Sequence, residues 1–196
     1  MFYGLLRNPL AAHTELSVGR TVSHNSGRER VMERPVELRM SNGRMAFGDV
    51  PEHIDEKLQE AVKARPDATA CEALLWEAHR MGPRVLPVFY ALYKFYFNRK
   101  RFADAERVAT IGLDAAAREG GYAGDWRSLR VDSADWTTEG PPRFTLFTLK
   151  ARAFISLRSG RVEDATDILA KLAEIDPQDQ VGYGVIAALA RGIEKE

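Results

Sequence analysis

Four histidines and one cysteine are the side chains of this 196-residue sequence best suited to bind a metal or act as nucleophiles. A transition-metal site built from nearby residues needs pairs such as His-x-x-x-His, His-Glu-x-x-His or Cys-x-x-Cys, which put two ligands on one face. His13, His24, His53 and His79 are far apart, and none of those pairs occurs. Cys71 and His79 lie eight residues apart on one expected helix. They are nearly aligned but about 12 Å distant, too far for a thiolate–imidazole couple. Cys71 therefore reads as a small core residue. The carboxylate pairs Glu56/Glu60 and Glu163/Asp167 have helical spacing, but they stand among lysines and arginines and read as solvated faces rather than acid–base dyads. With no glycine-rich phosphate loop after a strand, the residues predict a protein that is not an enzyme and carries no metal or cofactor.

The chemistry left is that of recognition, and it is concentrated in two stretches. Leu86 to Phe97, LPVFYALYKFYF, packs six aromatic rings into nine residues. A surface helix has one apolar stripe, whereas this one is apolar almost all round and predicts a central helix covered on several sides. The second stretch is the connection 118–141, which carries Asp125-Trp126 and Asp135-Trp136. A connection this long in an otherwise economical chain tends to be functional. Either both indoles plug the fold at the insertion, or Trp126 or Trp136 anchors a partner as aromatic hot spots do.

The elements around these stretches follow from punctuation and period. Residues 1–35 are largely polar and basic without sustained period and predict a loosely ordered leader. Residues 36–50 carry Asn42-Gly43, which suits a type I′ turn and predicts a β-hairpin with Leu38, Met40, Met45 and Phe47 on one face. That apolar face could join two chains as a homodimer. From Pro51 every periodic segment is helical, with helices expected at about 52–64, 68–81, 86–98, 102–117, 142–158, 162–174 and 178–193. Breakers such as Pro66-Asp67, Gly82-Pro83, Ser159-Gly160 and Asp176-Pro177 separate them, and such short joints imply antiparallel neighbours. The sequence thus predicts a helical domain over 51–196.

Composition limits the partners. Twenty-eight basic and 28 acidic side chains cancel, so no global field draws the chain to nucleic acid or an anionic membrane. A single cysteine leaves no disulfide framework and fits a cytoplasmic location. The N-terminus MFYGLLRNPLAA has no basic start and is broken by Arg7 and Pro9, which predicts neither export nor anchoring.

A shift of 34 residues lays Cys71 on Ala105, Leu75 on Ala109, Ala78 on Gly112, Leu58 on Leu92 and Val62 on Tyr96. Treating 26 residues as an insertion gives a third copy, with Ala165 on Ala105, Leu169 on Ala109 and Leu149 on Phe89. That copy, LKARAFISLRSGRVEDATDILAKLAEIDPQ, resembles a tetratricopeptide (TPR) repeat through Gly160, Val162, Ala165 and Pro177. It departs from the pattern at Leu172, as the other copies do at Gln59 and Tyr93. The resemblance implies a mainly α TPR-like stack of about three antiparallel helix pairs. A C-terminal capping helix would turn Val181, Val185, Ile186, Leu189 and Ile193 inward.

It also implies a concave groove lined by the first helix of each pair. The matching residues are Tyr90, Lys94, Phe97 and Asn98, then Phe147, Lys150, Phe154 and Arg158. Aromatic and basic together, they suit another protein or an extended peptide with acidic and apolar side chains. The expected function is therefore protein–protein interaction through the groove or the Trp loop. The run from LPVFYALYKFYF to FADAERVA, with its GDW and ADW loop, is also similar to small TPR-like proteins encoded among bacterial nitrogen-fixation genes. That similarity implies an accessory, nitrogenase-associated role. A different class of activity is a small-molecule sensor with its pocket under the Trp loop.

Overall fold

The computed structural model describes residues 47–193. The expected leader and most of the expected hairpin lie outside the described residues, which contain seven α-helices and no strand. The helices are α1 (Glu52–Lys63), α2 (Ala68–Met81), α3 (Leu86–Asn98), α4 (Phe102–Gly120), α5 (Pro141–Arg158), α6 (Val162–Ile175) and α7 (Gly184–Ile193). None of them is long and apolar enough to cross a membrane.

Local chemistry explains where they start. Asp67 caps α2, its carboxylate accepting from the Ala70 amide at 3.0 Å. α3 and α5 each open with proline in the first turn, where the missing N–H would have had no helical partner. Their burial follows from composition. In α3, ten of thirteen residues are buried, leaving only Pro87 in the first turn and Phe97 and Asn98 at the C-terminal end in reach of solvent. In α4, Ala105, Ala109, Gly112 and Ala116 form a narrow face that lets neighbouring helices approach. A Cβ at Gly112 would lie 3.0 Å from Phe89 Cβ and 3.0 Å from Phe144 Cζ, so α3 and α5 close on α4 at that point.

Each helix packs on the next in the chain, and α3 also touches α5, as α5 touches α7. The even-numbered helices are tied on the other side by a recurring ion-pair arrangement. Arg101, just before α4, donates through Nη1 to Glu72 Oε2 on α2 and through Nε to Asp104 Oδ2, both at 2.7 Å. Arg161, just before α6, donates through Nη2 to Glu106 Oε2 on α4 at 2.6 Å and through Nε to Asp164 Oδ2 at 3.0 Å. Glu106 lies 34 residues after Glu72, while Arg161 and Asp164 lie 60 after Arg101 and Asp104. The turns recur at the same offset. Lys100 (φ 58) and Gly160 (φ 76) both take the left-handed conformation, and each following amide (Arg101, Arg161) donates back to Tyr96 or Ser156. Proline cannot adopt that φ, and Pro66 stands where the first turn would need it. That turn is built instead on Arg65 N to Val62 O and Asp67 N to Ala64 O.

Two boundaries differ from the sequence expectation for identifiable reasons. α4 runs on to Gly120 because Gly121 (φ 72) supplies the left-handed residue that ends it. α7 starts at Gly184 rather than near 178, because Asp179 and Gly182 both have positive φ and the Asp179 carboxylate accepts from the Tyr183 and Gly184 amides. Its inward face is also narrower than expected. Ile186, Ala190 and the preceding Val181 are buried, but Val185, Leu189 and Ile193 are exposed, with no later helix among the described residues to cover them.

Candidate functional site

The aromatic and basic residues expected to line a groove come from α3 and α5, which the fold places side by side. They divide into two clusters along those helices. At the N-terminal end, Tyr90 and Phe147 face each other across a third ring, Phe47, whose centroid lies 5.2 Å from Tyr90, 5.4 Å from Phe147 and 5.3 Å from Phe144. Phe47 is only 2% exposed. Of the face expected to join two chains, the described member is therefore buried against its own chain.

Cations ring this aromatic socket. Lys94 Nζ lies 5.2 Å from the Tyr90 ring centre and 3.4 Å from the Tyr90 hydroxyl oxygen. Lys150 Nζ and the Arg143 guanidinium lie 4.8 Å and 5.7 Å from the Phe147 ring centre. Burial lowers the Lys94 ammonium to about 8, and the charge of Lys150 pushes it the same way. Burial likewise lowers Lys150 to about 8 against the opposing pull of Asp179 and Asp176. Lys150 also donates to the Val181 carbonyl. Two partly desolvated lysines thus lie beside these rings, Lys150 within the field of Asp176 and Asp179.

At the other end, Phe97 and Phe154 are half-buried with ring centres 5.1 Å apart, and Phe102 lies 5.6 Å from Phe97. Arg158 stands 6.0 Å from the Phe102 ring centre, and both Arg158 and Asn98 are exposed. The residues expected to line a groove thus meet in space as two aromatic clusters with cationic edges.

The Trp loop has different neighbours. It contains two 3-10 turns, Trp126–Ser128 and Val131–Ser133, and its indoles are 7% and 5% exposed. Trp136 donates through Nε1 to the Arg130 carbonyl at 3.0 Å and packs on Tyr122, whose hydroxyl is 2.7 Å from Thr145 Oγ1 of α5. Lys171 of α6 donates to the Leu129 carbonyl at 2.8 Å. The loop is therefore fastened to α5 and α6, with its indoles turned into the protein. A cleft of about 600 Å³ lies between the α2–α3 turn and the C-terminal half of α4, lined by Arg84, Phe89, Ile111, Asp114 and Arg118, and so reaches the start of the 118–141 connection.

Sequence reasoning missed the contributions of Phe47 and Phe144. Phe144 precedes Phe147 by one helical turn, a spacing that would have put it on the same side of α5. For Phe47 the alternating pattern pointed to a strand, and nothing in the local sequence showed which surface it would meet. Cys71 is buried, and its thiol is pushed up by burial. Among the described residues no three His, Cys, Asp or Glu side chains come together to hold a metal ion.

Compared with known proteins, the chain is 29% identical over 125 residues to a protein of Azotobacter chroococcum mcd 1 described as an uncharacterized 19.8 kDa protein in the nifW 5′ region. The matched part covers 62% of this chain and 70% of that one. No family model matches, and no solved structure matches.

Proposed function

We propose that this chain is a TPR-like, non-enzymatic docking module whose inner face, between α3 and α5, receives an extended segment of another protein. The observation that carries the reading is the pair of aromatic clusters edged by Lys94, Lys150, Arg143 and Arg158. Aromatic surface supplies the apolar contact that dominates recognition, and the cations select acidic neighbours. The TPR-like reading draws support from the ion-pair latches, whose members recur at offsets of 34 and 60 residues, and from the left-handed turns that recur at 60. The two buried indoles read as fasteners of the insertion, although a partner role for Trp126 and Trp136 stays within the same proposal.

Affinity capture from the native host tests the groove. A Lys94→Met/Lys150→Met chain keeps side-chain volume and removes both charges. It is expected to lose a partner that the wild type retains, by about tenfold or more, with thermal unfolding still cooperative. Equal recovery of every partner by both chains would reject the groove.

The Azotobacter relative favours a second, compatible reading, in which the docking partner belongs to the nitrogen-fixation apparatus and the chain is an accessory protein. Transcript levels that do not respond to nitrogen limitation would count against that assignment.

A further inference from the structure

The socket formed by Tyr90, Phe144 and Phe147 is filled by the chain's own Phe47. Gly48 follows at φ 105, a conformation that side chains other than glycine rarely adopt, and it turns the backbone sharply between the buried ring and exposed Asp49. The chain thus seats an aromatic anchor of its own on this face, followed by a glycine turn and an exposed acidic residue. That is the chemistry the socket and its rim would recognise in a partner: one ring among three rings, with carboxylates beside it facing Lys94, Lys150 and Arg143. A second occupant cannot enter while Phe47 is in place.

We propose that Phe47 is an internal stand-in for the docking partner, which seats an aromatic residue flanked by carboxylates in the Tyr90, Phe144 and Phe147 socket after displacing Phe47. The inference rests on the docking reading above and adds both the kind of side chain recognised and a competition that sets the apparent affinity. A socket open only a fraction of the time binds more weakly by that fraction. The held ring therefore lowers affinity for any partner that needs the socket until Phe47 leaves it.

The test uses the full chain and a fluorescein-labelled probe peptide, GRMAFGDVPE, corresponding to residues 43–52. Anisotropy titration is expected to show the probe binding a Phe47→Ala chain about tenfold or more tighter than the wild type. A probe with alanine for its phenylalanine is expected to bind neither chain. Equal binding by wild type and variant, or equal binding of the two probes, would overturn the inference. If Phe47→Ala proves unfolded by circular dichroism, Phe47→Leu takes its place. It fills the socket less completely and is expected to bind the probe a few-fold more tightly than the wild type, and equality would again overturn the proposal. Light scattering is run alongside. A wild-type dimer that Phe47→Ala converts to monomer would show that the socket's occupant is a second copy, which overturns the assignment to a different protein. Failure of the docking reading looks different: the probe still distinguishes the chains, while Lys94→Met/Lys150→Met captures every partner normally.

Discussion

Lys94 is a buried charge whose cost to stability depends on pH. Its ammonium is largely removed from water, with Lys150 close enough to repel it, and its pKa falls from 10.5 to about 8. Between those values the unfolded chain holds a proton that the folded site has released, so stability rises with pH across that window. Below about 8 both states are charged, and the folded state bears the net cost of burying that charge. Lys94→Met is therefore expected to stabilise the protein at pH 7 by on the order of 1–2 kcal/mol, less than the bare shift implies because Lys94 keeps polar neighbours in the fold, the Tyr90 hydroxyl among them. The gain should shrink as the pH approaches 10. Urea unfolding at pH 7 and pH 9.5 measures it, and a gain that stayed constant or grew with pH would show that Lys94 is not desolvated.

At the scale of elements, much of the architecture could be read from periodicity and breakers, and the exceptions have local causes. The dense aromatic run of α3 announced a helix covered on several sides, and ten of its residues are buried. The alignment of Ala78 with Gly112 anticipated close helix contact, and Gly112 does meet Phe89 and Phe144. The ends of α4 and α7 were misplaced because they depend on positive φ at Gly121, Asp179 and Gly182, which hydrophobic period does not encode. Phe47 was harder still, since its partners lie about forty to a hundred residues away and only tertiary packing brings them together. Residues at positive φ also carry a prediction. Lys100 adopts φ 58 with no glycine to relieve it, at the point where Gly160 occupies the corresponding turn. Lys100→Gly is expected to stabilise the protein by about 0.5–1 kcal/mol, the relieved strain exceeding the added freedom of the unfolded chain. A lower melting temperature in this variant would mean that the Lys100 side chain contributes more than its backbone costs.

For the whole molecule, two kinds of contact organise the helices. Arg101 and Arg161 tie the even-numbered helices along one side, while direct packing of α3 on α5 and of α5 on α7 makes the other. The latches are partly exposed, so their value lies more in register than in stability. The aromatic and cationic residues lie on the directly packed side, which is why sequence spacing alone could suggest a shared surface but could not show that Phe47 already occupies part of it. The cleft beside Arg84 and Arg118 and the fastened indoles lie elsewhere.

The central claim, that a partner seats on the α3 and α5 face, is tested most directly by site-specific photo-crosslinking in the native host. A photoreactive residue would replace exposed Asn98 at the end of α3 in one chain and exposed Thr110 on α4 in another. The account predicts a discrete partner adduct from position 98 and none from position 110. An adduct from position 110 alone would contradict it.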